Sequence, residues 1–321
     1  MTAVGRKKNS GASVTENSRE GPMKNQGFSR KKRNDYFWFI ILTLPTLGGL
    51  LIFYIVPFFQ TLFNSFHSIG SFGNLTFNGV DNYRRLFTDE NVGKALWNTL
   101  IFTVVSVPVG LCLSTLLAVL LNEKIRGRSV YRTLYFLPAV TMPTAIAMLW
   151  KWLYNSDYGL FNYVLGMFGI QGPHWLSDPG TALSSLIIVA IWNRVGYNMI
   201  ILLAGLQGIP ASQYEAAYID GASRPRQFFS ITIPLLTPTI FFVLIMSLIN
   251  AFQMFDMVFM MVPDTSVSIT TTQTMVYLFY KNAFILSDKG YASAIAVVLF
   301  VIIMAVTAVQ MKLQNKWVTY E

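Results

Sequence analysis

The sequence predicts an all-α polytopic membrane protein with six transmembrane helices, both termini cytosolic, and a structured cytosolic loop between the fourth and fifth helices. Three observations carry this. Charged residues make up 12% of the 321-residue chain and hydrophobic residues 53%, with mean hydropathy +0.47, whereas a soluble globular chain carries about 25% charge. The deficit means that lipid, not water, is the solvent for much of the surface. Apolar runs long enough to cross a bilayer recur six times, and Lys and Arg gather in alternate loops.

The runs cover approximately 36–58, 94–121, 134–154, 182–205, 231–255 and 291–311. A hydrocarbon core of about 30 Å needs roughly 20 residues of helix. Helices are required because an unpaired N–H or C=O in lipid is prohibitive and a helix pairs them within the segment. Barrel strands would alternate in polarity over about 10 residues, and no stretch does so. The second run is long enough to begin as helix outside the lipid. Segments 59–93, 155–181 and 256–290 are long enough for short interfacial helices.

Orientation follows from basic residues. With the N-terminus inside, the inner segments (1–35, 122–133, 206–230 and the C-terminus) hold seventeen Lys and Arg, and the outer loops hold four. That asymmetry is the positive-inside signal. Trp38, Trp97, Trp150, Trp152 and Trp317 fall near run ends, where amphipathic rings favour the interface. Residues 1–35 are polar and rich in Lys, Arg, Ser, Gly and Asn, and read as a disordered basic cytosolic tail; 36–321 form the membrane domain. The tail cluster Arg30–Arg33 suits anionic lipid.

Several function classes are excluded. The net charge of +9 sits in tails and alternate loops, so it does not build a nucleic-acid face. One cysteine, Cys112, and two separated histidines, His67 and His174, give neither a disulfide framework nor a usual zinc site. Neither histidine has a nucleophile-and-base arrangement nearby, so no catalytic residue is expected and the chain is not read as an enzyme. No phosphate-binding Gly-x4-Gly-Lys-Ser/Thr motif exists. No Asp or Glu sits at the centre of a run, as ion-coupled carriers would require.

The loop between the fourth and fifth runs carries the strongest pattern. Pro210 followed by Ser212 signals a helix start, and Glu215 three residues on completes a possible capping box. Glu215, Ala216, Ala217 and Tyr218 are followed by Asp220 and by Gly221 as a C-cap. A second short helix is expected from about Pro225 to Ile231, with Pro234 starting the next span. Small residues, including Ala216, Ala217, Gly221 and Ala222, allow close approach of another protein. Polar residues inside runs are costly, roughly 2.5–3.5 kcal/mol for a central charge. The fourth run holds Asn193, Arg194, Tyr197 and Asn198, with Asn193/Tyr197 and Arg194/Asn198 each at i, i+4; the fifth holds Ser247, Asn250, Gln253 and Met254, followed by Asp256. Amides, hydroxyls and aromatics at mid-membrane suit a sugar. Helix–helix hydrogen bonding is the other reading of the same residues. Arg194 could neutralise Asp256, bind an anionic substrate, or snorkel.

Glu215-Ala216-Ala217, Gly221, Ile231 and Pro234 resemble the EAA loop of binding-protein-dependent ABC transporter permeases. The resemblance extends to the maltose and glycerol-phosphate permease branch through Asp81-Asn82-Tyr83, Asn98-Thr99-Leu100, Leu121-Asn122, Arg126-Gly127-Arg128, Phe136-Leu137-Pro138, Ala204-Gly205 through Pro210, and Gly290-Tyr291-Ala292. Ile233, Pro225-Arg226 and Met261-Val262-Pro263-Asp264 depart from the branch's usual residues. The resemblance implies that Glu215, Ala216, Ala217, Asp220, Gly221, Ala222, Ile231 and Pro234 form coupling helices that dock on a cytosolic ATPase. It implies that stretches around Asn193 and Ser247 line a sugar site. It implies a second permease subunit, two ATPase subunits that bind ATP and Mg in place of this chain, a solute-binding protein outside, and a multi-pass location in the bacterial inner membrane.

Overall fold

The computed structural model describes residues 26–69, 74–123 and 125–317. Most of the basic tail therefore lies outside the described residues. The chain divides into two compact units, the first ending at Phe58 and the second beginning at Phe59.

The first unit holds helix α1 (Gln26–Leu50), a π-helical turn over Leu51–Ile55, and the start of α2 (Val56–Asn64). Helix thus begins ten residues before the apolar run, within the segment read as tail. A candidate span covers Asn34–Asn64, and none of its most apolar window is buried.

The second unit begins with the rest of α2 and continues into a small hairpin, β1 (His67–Ile69) antiparallel to β2 (Leu75–Phe77), which hydropathy did not suggest. Then come α3 (Asp81–Thr88) and α4 (Glu90–Asn122). Asp89 caps α4 by accepting from Asn91 N–H at 2.9 Å. At 33 residues α4 is about 50 Å long, so it overshoots a bilayer core, and its first turn carries the exposed Glu90–Lys94 pair.

The third apolar run is broken rather than straight. It forms α5 (Arg128–Val140) and α6 (Pro143–Leu153), bent by 99° at Thr141 and Met142. Pro143 forces the residue before it out of the helical region, and Met142 is extended at φ −55°, ψ 130°. Five described helices are long and apolar enough to cross a membrane, and six spans result if the bent pair counts as one.

The chain continues through α7 (Leu160–Met167), α8 (Ala182–Gln207), α9 (Ala211–Ile219), α10 (Arg224–Gln227), a π-turn (Phe228–Thr232) and α11 (Ile233–Phe252). Short helices α12 (Asp256–Met261), α13 (Ile269–Thr272) and α14 (Met275–Tyr280) and a further π-turn (Lys281–Ile285) lead into α15 (Lys289–Trp317).

In the second unit, α4 packs along α8, α5 crosses α8, and α11 lies against both α4 and α8. Trp150, expected at an interface, is instead buried in a cluster with Tyr154, Leu186 and Met261. Trp38, Trp97 and Trp152 are exposed; the side chain of Trp317 lies outside the described residues. A second cluster gathers Leu202, Leu206 and Leu236 where α4, α8 and α11 meet near α9.

Several of the short motifs are structural ties at the end opposite α9. Asn82 donates to the Ser65 and His67 carbonyls at 2.9 and 3.0 Å, pinning the hairpin on α3. Asn98 donates to the Thr270 and Gln273 carbonyls, and Thr99 accepts from Met275 N–H, holding α13 and α14 on α4. Gly290 lies under the His67 carbonyl, where any Cβ would collide. Arg85 pairs with Asp288 at 2.6 Å and covers the Tyr291 ring at 3.9 Å. In the connecting segment, Lys281 beside Asp264 holds that carboxyl below its ordinary range.

Candidate functional site

Two features merit attention, an open polar cavity and the α9 turn. The cavity, about 270 Å³, is walled by α4, α8, the end of α11 and the break after it. Of the eight residues singled out for a pathway, seven line it: Asn193, Arg194, Asn198, Ser247, Asn250, Gln253 and Met254. Tyr197 does not, and is 47% exposed.

Two hydrogen bonds organise the lining. Asn198 Nδ2 donates to Ser247 Oγ at 3.3 Å, joining α8 to α11 where both residues are buried. Asn250, which also lines the cavity, donates from Nδ2 to the Met246 carbonyl on its own helix at 2.7 Å. So the alternative reading, helix–helix hydrogen bonding, holds for Asn198 and Ser247. Ser247→Ala strips Asn198 of this partner. Such bonds between membrane helices average about 0.6 kcal/mol, so a small fall in Tm is expected, and a double-mutant cycle with Asn198→Ala measures it. A coupling energy of zero would remove the bond's stabilising role.

Helix α11 ends at Phe252, and Gln253 to Phe255 turn the chain before α12. Thr274 Oγ1 holds this turn by donating to the Met254 carbonyl at 2.7 Å. The break brings Asp256 into the same wall as Arg194. None of the described ion pairs joins the two, so direct neutralisation of Arg194 by Asp256 is not observed. The chemistry offered is therefore four amides, two hydroxyls, one guanidinium and one carboxylate, interleaved with Phe102, Phe255 and Met254. That mixture fits a polyhydroxylated solute with apolar C–H faces.

The α4 contribution was not anticipated. Phe102, Ser106 and Gly110 lie at four-residue spacing on one face of that helix and line the cavity, as does Pro143 at the broken span. The signal available was weak, since Ser106 is one of several hydroxyl and amide residues in this run, beside Asn98, Thr99, Thr103, Ser114 and Thr115.

The α9 turn differs from expectation in its start and agrees in its end. Pro210 is the N-cap residue, extended at φ −60°, ψ 133°, and no side chain caps the helix. The expected Ser212–Glu215 capping box is therefore not formed: the fixed φ of Pro210 starts the helix at Ala211, placing Ser212 two residues inside. Glu215 is exposed and makes no hydrogen bond or ion pair among the described residues. At the far end Gly221 adopts φ +76°. Ala222 N–H reaches the Ala217 carbonyl at 2.9 Å and Gly221 N–H the Tyr218 carbonyl at 3.0 Å, which is a Schellman closure. Ala216 and Asp220 are exposed; Ala217, Ala222, Ile231 and Pro234 are half-buried. Tyr218, Ile219 and Phe229 present 79%, 83% and 70% of their surface.

The separate second short helix is corrected. Helix runs unbroken from Arg224 to Phe252. Pro234 lacks an N–H and its ring would strike the carbonyl four residues back. The π-turn over Phe228–Thr232 widens the helix just before it, so the rod passes Pro234 without stopping.

A family model described as binding-protein-dependent transport system inner membrane component matches residues 94–320. The chain belongs to that family. This permease is 36% identical over 296 residues to the probable ABC transporter permease protein YesP of Bacillus subtilis (strain 168), covering 91% of this chain and 95% of the relative. It is 34% identical to the trehalose/maltose transport system permease protein MalF of Thermococcus litoralis, covering 85% and 92%. Its fold matches a chain of a bacterial alginate ABC transporter, solved with an alginate pentasaccharide-bound periplasmic protein, at TM-score 0.80, 23% identity, and 89% and 96% coverage. The permease is thus a multi-pass helical membrane protein of the ABC-importer type.

Proposed function

We propose that this permease forms half of the pore of an ATP-driven importer in a bacterial inner membrane, and moves a sugar or oligosaccharide delivered by an extracytoplasmic solute-binding protein. A second, related permease subunit completes the pore. Two cytosolic ATPase subunits carry ATP and Mg and drive alternating access. The observation that carries this reading is the continuous rod Arg224–Phe252. Its start adjoins the exposed α9 turn, and its end presents Ser247 and Asn250 to the cavity roughly 35–40 Å away. A displacement at the turn therefore reaches the cavity through one continuous helix. The excess of Lys and Arg in the 206–230 side of the chain supports a cytosolic α9. Glu215, Ala216, Ala217, Asp220, Gly221 and Ala222 form the docking turn, with Ile231 and Pro234 at the root of the rod. Asn193, Arg194, Asn198, Ser247, Asn250, Gln253 and Met254 form this subunit's wall of the pathway, with Tyr197 beside it. The names of the relatives, which include trehalose, maltose and alginate, support a saccharide.

The test is purification from the native membrane with mass spectrometry of everything that co-purifies, for wild type, Glu215→Lys and Gly221→Asp. A side chain at φ +76° costs about 1–2 kcal/mol, and Gly221→Asp adds charge to the docking face. Wild type should bring down an ATPase and a second permease. Both variants should keep the second permease and lose most of the ATPase. Absence of any ATPase with wild type would overturn the assignment in favour of an ion-driven carrier built on Arg194 and Asp256.

A further inference from the structure

Helix α9 is attached to the rod at two places. One is the chain itself, through Gly221, Ala222 and Ser223. A β-carbon at Gly221 would meet nothing within 4 Å, so side-chain packing does not brace this corner; backbone closure and the Gln227 Nε2 bond to the Ala222 carbonyl at 3.0 Å hold it. The other attachment is a side-chain bridge, Tyr214 OH to Thr232 Oγ1 at 3.0 Å. Thr232 is buried and is the last residue of the π-turn. Its hydroxyl also lies 3.4 Å from the Gln227 carbonyl, which accepts its proton when the Tyr214 phenol is the donor of the bridge. The bridge and the Gly221 corner lie seven residues apart along α9, a lever of about 10 Å.

We propose that the Tyr214–Thr232 hydroxyl pair is the strap that makes α9 and the rod move as one body, so that a push on α9 shifts the cavity wall. Without the strap, α9 is tied to the rod only through its glycine corner and to α8 through Gly208, Ile209 and Pro210, so a push on its outer face can tilt it against the rod. A helix held at two points separated along its length cannot pivot without breaking a bond. The strap meets the rod in its π-turn, at Thr232, whose hydroxyl also faces the Gln227 carbonyl of the preceding turn. The proposal rests on the reading of α9 as the ATPase-coupling element. Tyr214 and Thr232 are positioning residues in it and touch no substrate.

The experiment uses the co-purified complex in proteoliposomes, in a Cys112→Ser background carrying Gln253→Cys as a reporter in the cavity wall. The probe is a membrane-impermeant maleimide, with labelling rates compared without nucleotide and with ADP-vanadate. ATP hydrolysis is measured on the same preparations. With the native strap, ADP-vanadate is expected to change the labelling rate about tenfold, within the range of ordinary site-to-site coupling. Tyr214→Phe and Thr232→Val should keep ATP hydrolysis and lose the labelling response; Thr232→Ser, which retains the hydroxyl, should restore it. A full response in both Tyr214→Phe and Thr232→Val overturns the strap. So does a proportional loss of hydrolysis and response, which is the signature of failed docking or folding. If the native strap itself shows hydrolysis but no response, or no ATPase is present, the coupling role of α9 falls and the strap with it.

Discussion

Gly196→Ala is expected to remove most of the folded permease. Gly196 lies in α8 where α5 crosses it, and a β-carbon there would overlap the Tyr135 carbonyl, with the Phe136 backbone nitrogen at 3.0 Å. The obstacle is main chain, so no rotamer change relieves it. The helices would have to separate along the crossing, which opens gaps over the rest of their shared face. Overpacking in a well-packed core costs about 1–3 kcal/mol, and a backbone obstacle puts this case at the upper end or beyond. The fall should be visible as a lower Tm and lower yield of detergent-purified protein. Gly93→Ala is the control: a β-carbon there meets nothing within 4 Å, and alanine favours helix by roughly 0.5–1 kcal/mol. Wild-type yield and Tm in Gly196→Ala would show that α5 and α8 are not in close contact at this point.

Asn250→Trp is expected to reduce saccharide uptake to background while leaving assembly with the partner subunits unaffected. Asn250 is half-buried at the cavity wall, which it lines together with Gln253 and Asp256. An indole in its place occupies much of a cavity of about 270 Å³ and removes an amide from the lining. The measurement is ATP-dependent uptake into proteoliposomes of the saccharide that the co-purified binding protein carries, with subunit stoichiometry as the assembly check. Undiminished uptake would mean that solute passes elsewhere. Asn250→Gln, which keeps the amide, separates loss of space from loss of chemistry.

The two predictions probe features of different legibility. Asn250 could be found in the sequence because an amide inside an apolar run is expensive and must face something polar. The same cost argument located Asn193, Arg194, Asn198 and Ser247, all of which line the one cavity. Tyr197 lies outside that lining; a phenol is tolerated at an interface and carries a weaker constraint. Gly196 was not legible as a crossing point, since a glycine in a membrane run has several uses and only coordinates show the Tyr135 carbonyl against it. The coupling turn was half legible. Gly221 could be recognised because its left-handed conformation favours glycine, and it stands at φ +76°. The helix start at Pro210 was legible, but the capping box was misread, because Ser and Glu at that spacing have no effect unless the serine is the cap, and Pro210 takes that position.

Local composition was therefore enough for five of the membrane helices, the polar residues of α8 and α11, and the glycine corner after α9. Each depends on the cost of placing a particular residue in lipid or in a particular backbone conformation, and that cost is paid within one segment. The 99° break in the third span escaped a hydropathy window of about 20 residues, which averages over a two-residue corner. The rod's passage through Pro234, the third cavity wall from Phe102, Ser106 and Gly110, and the Tyr214–Thr232 bridge required the folded chain. Those features are set by which segments pack together, and a hydrogen bond between residues 18 apart leaves no periodic trace in the order of amino acids.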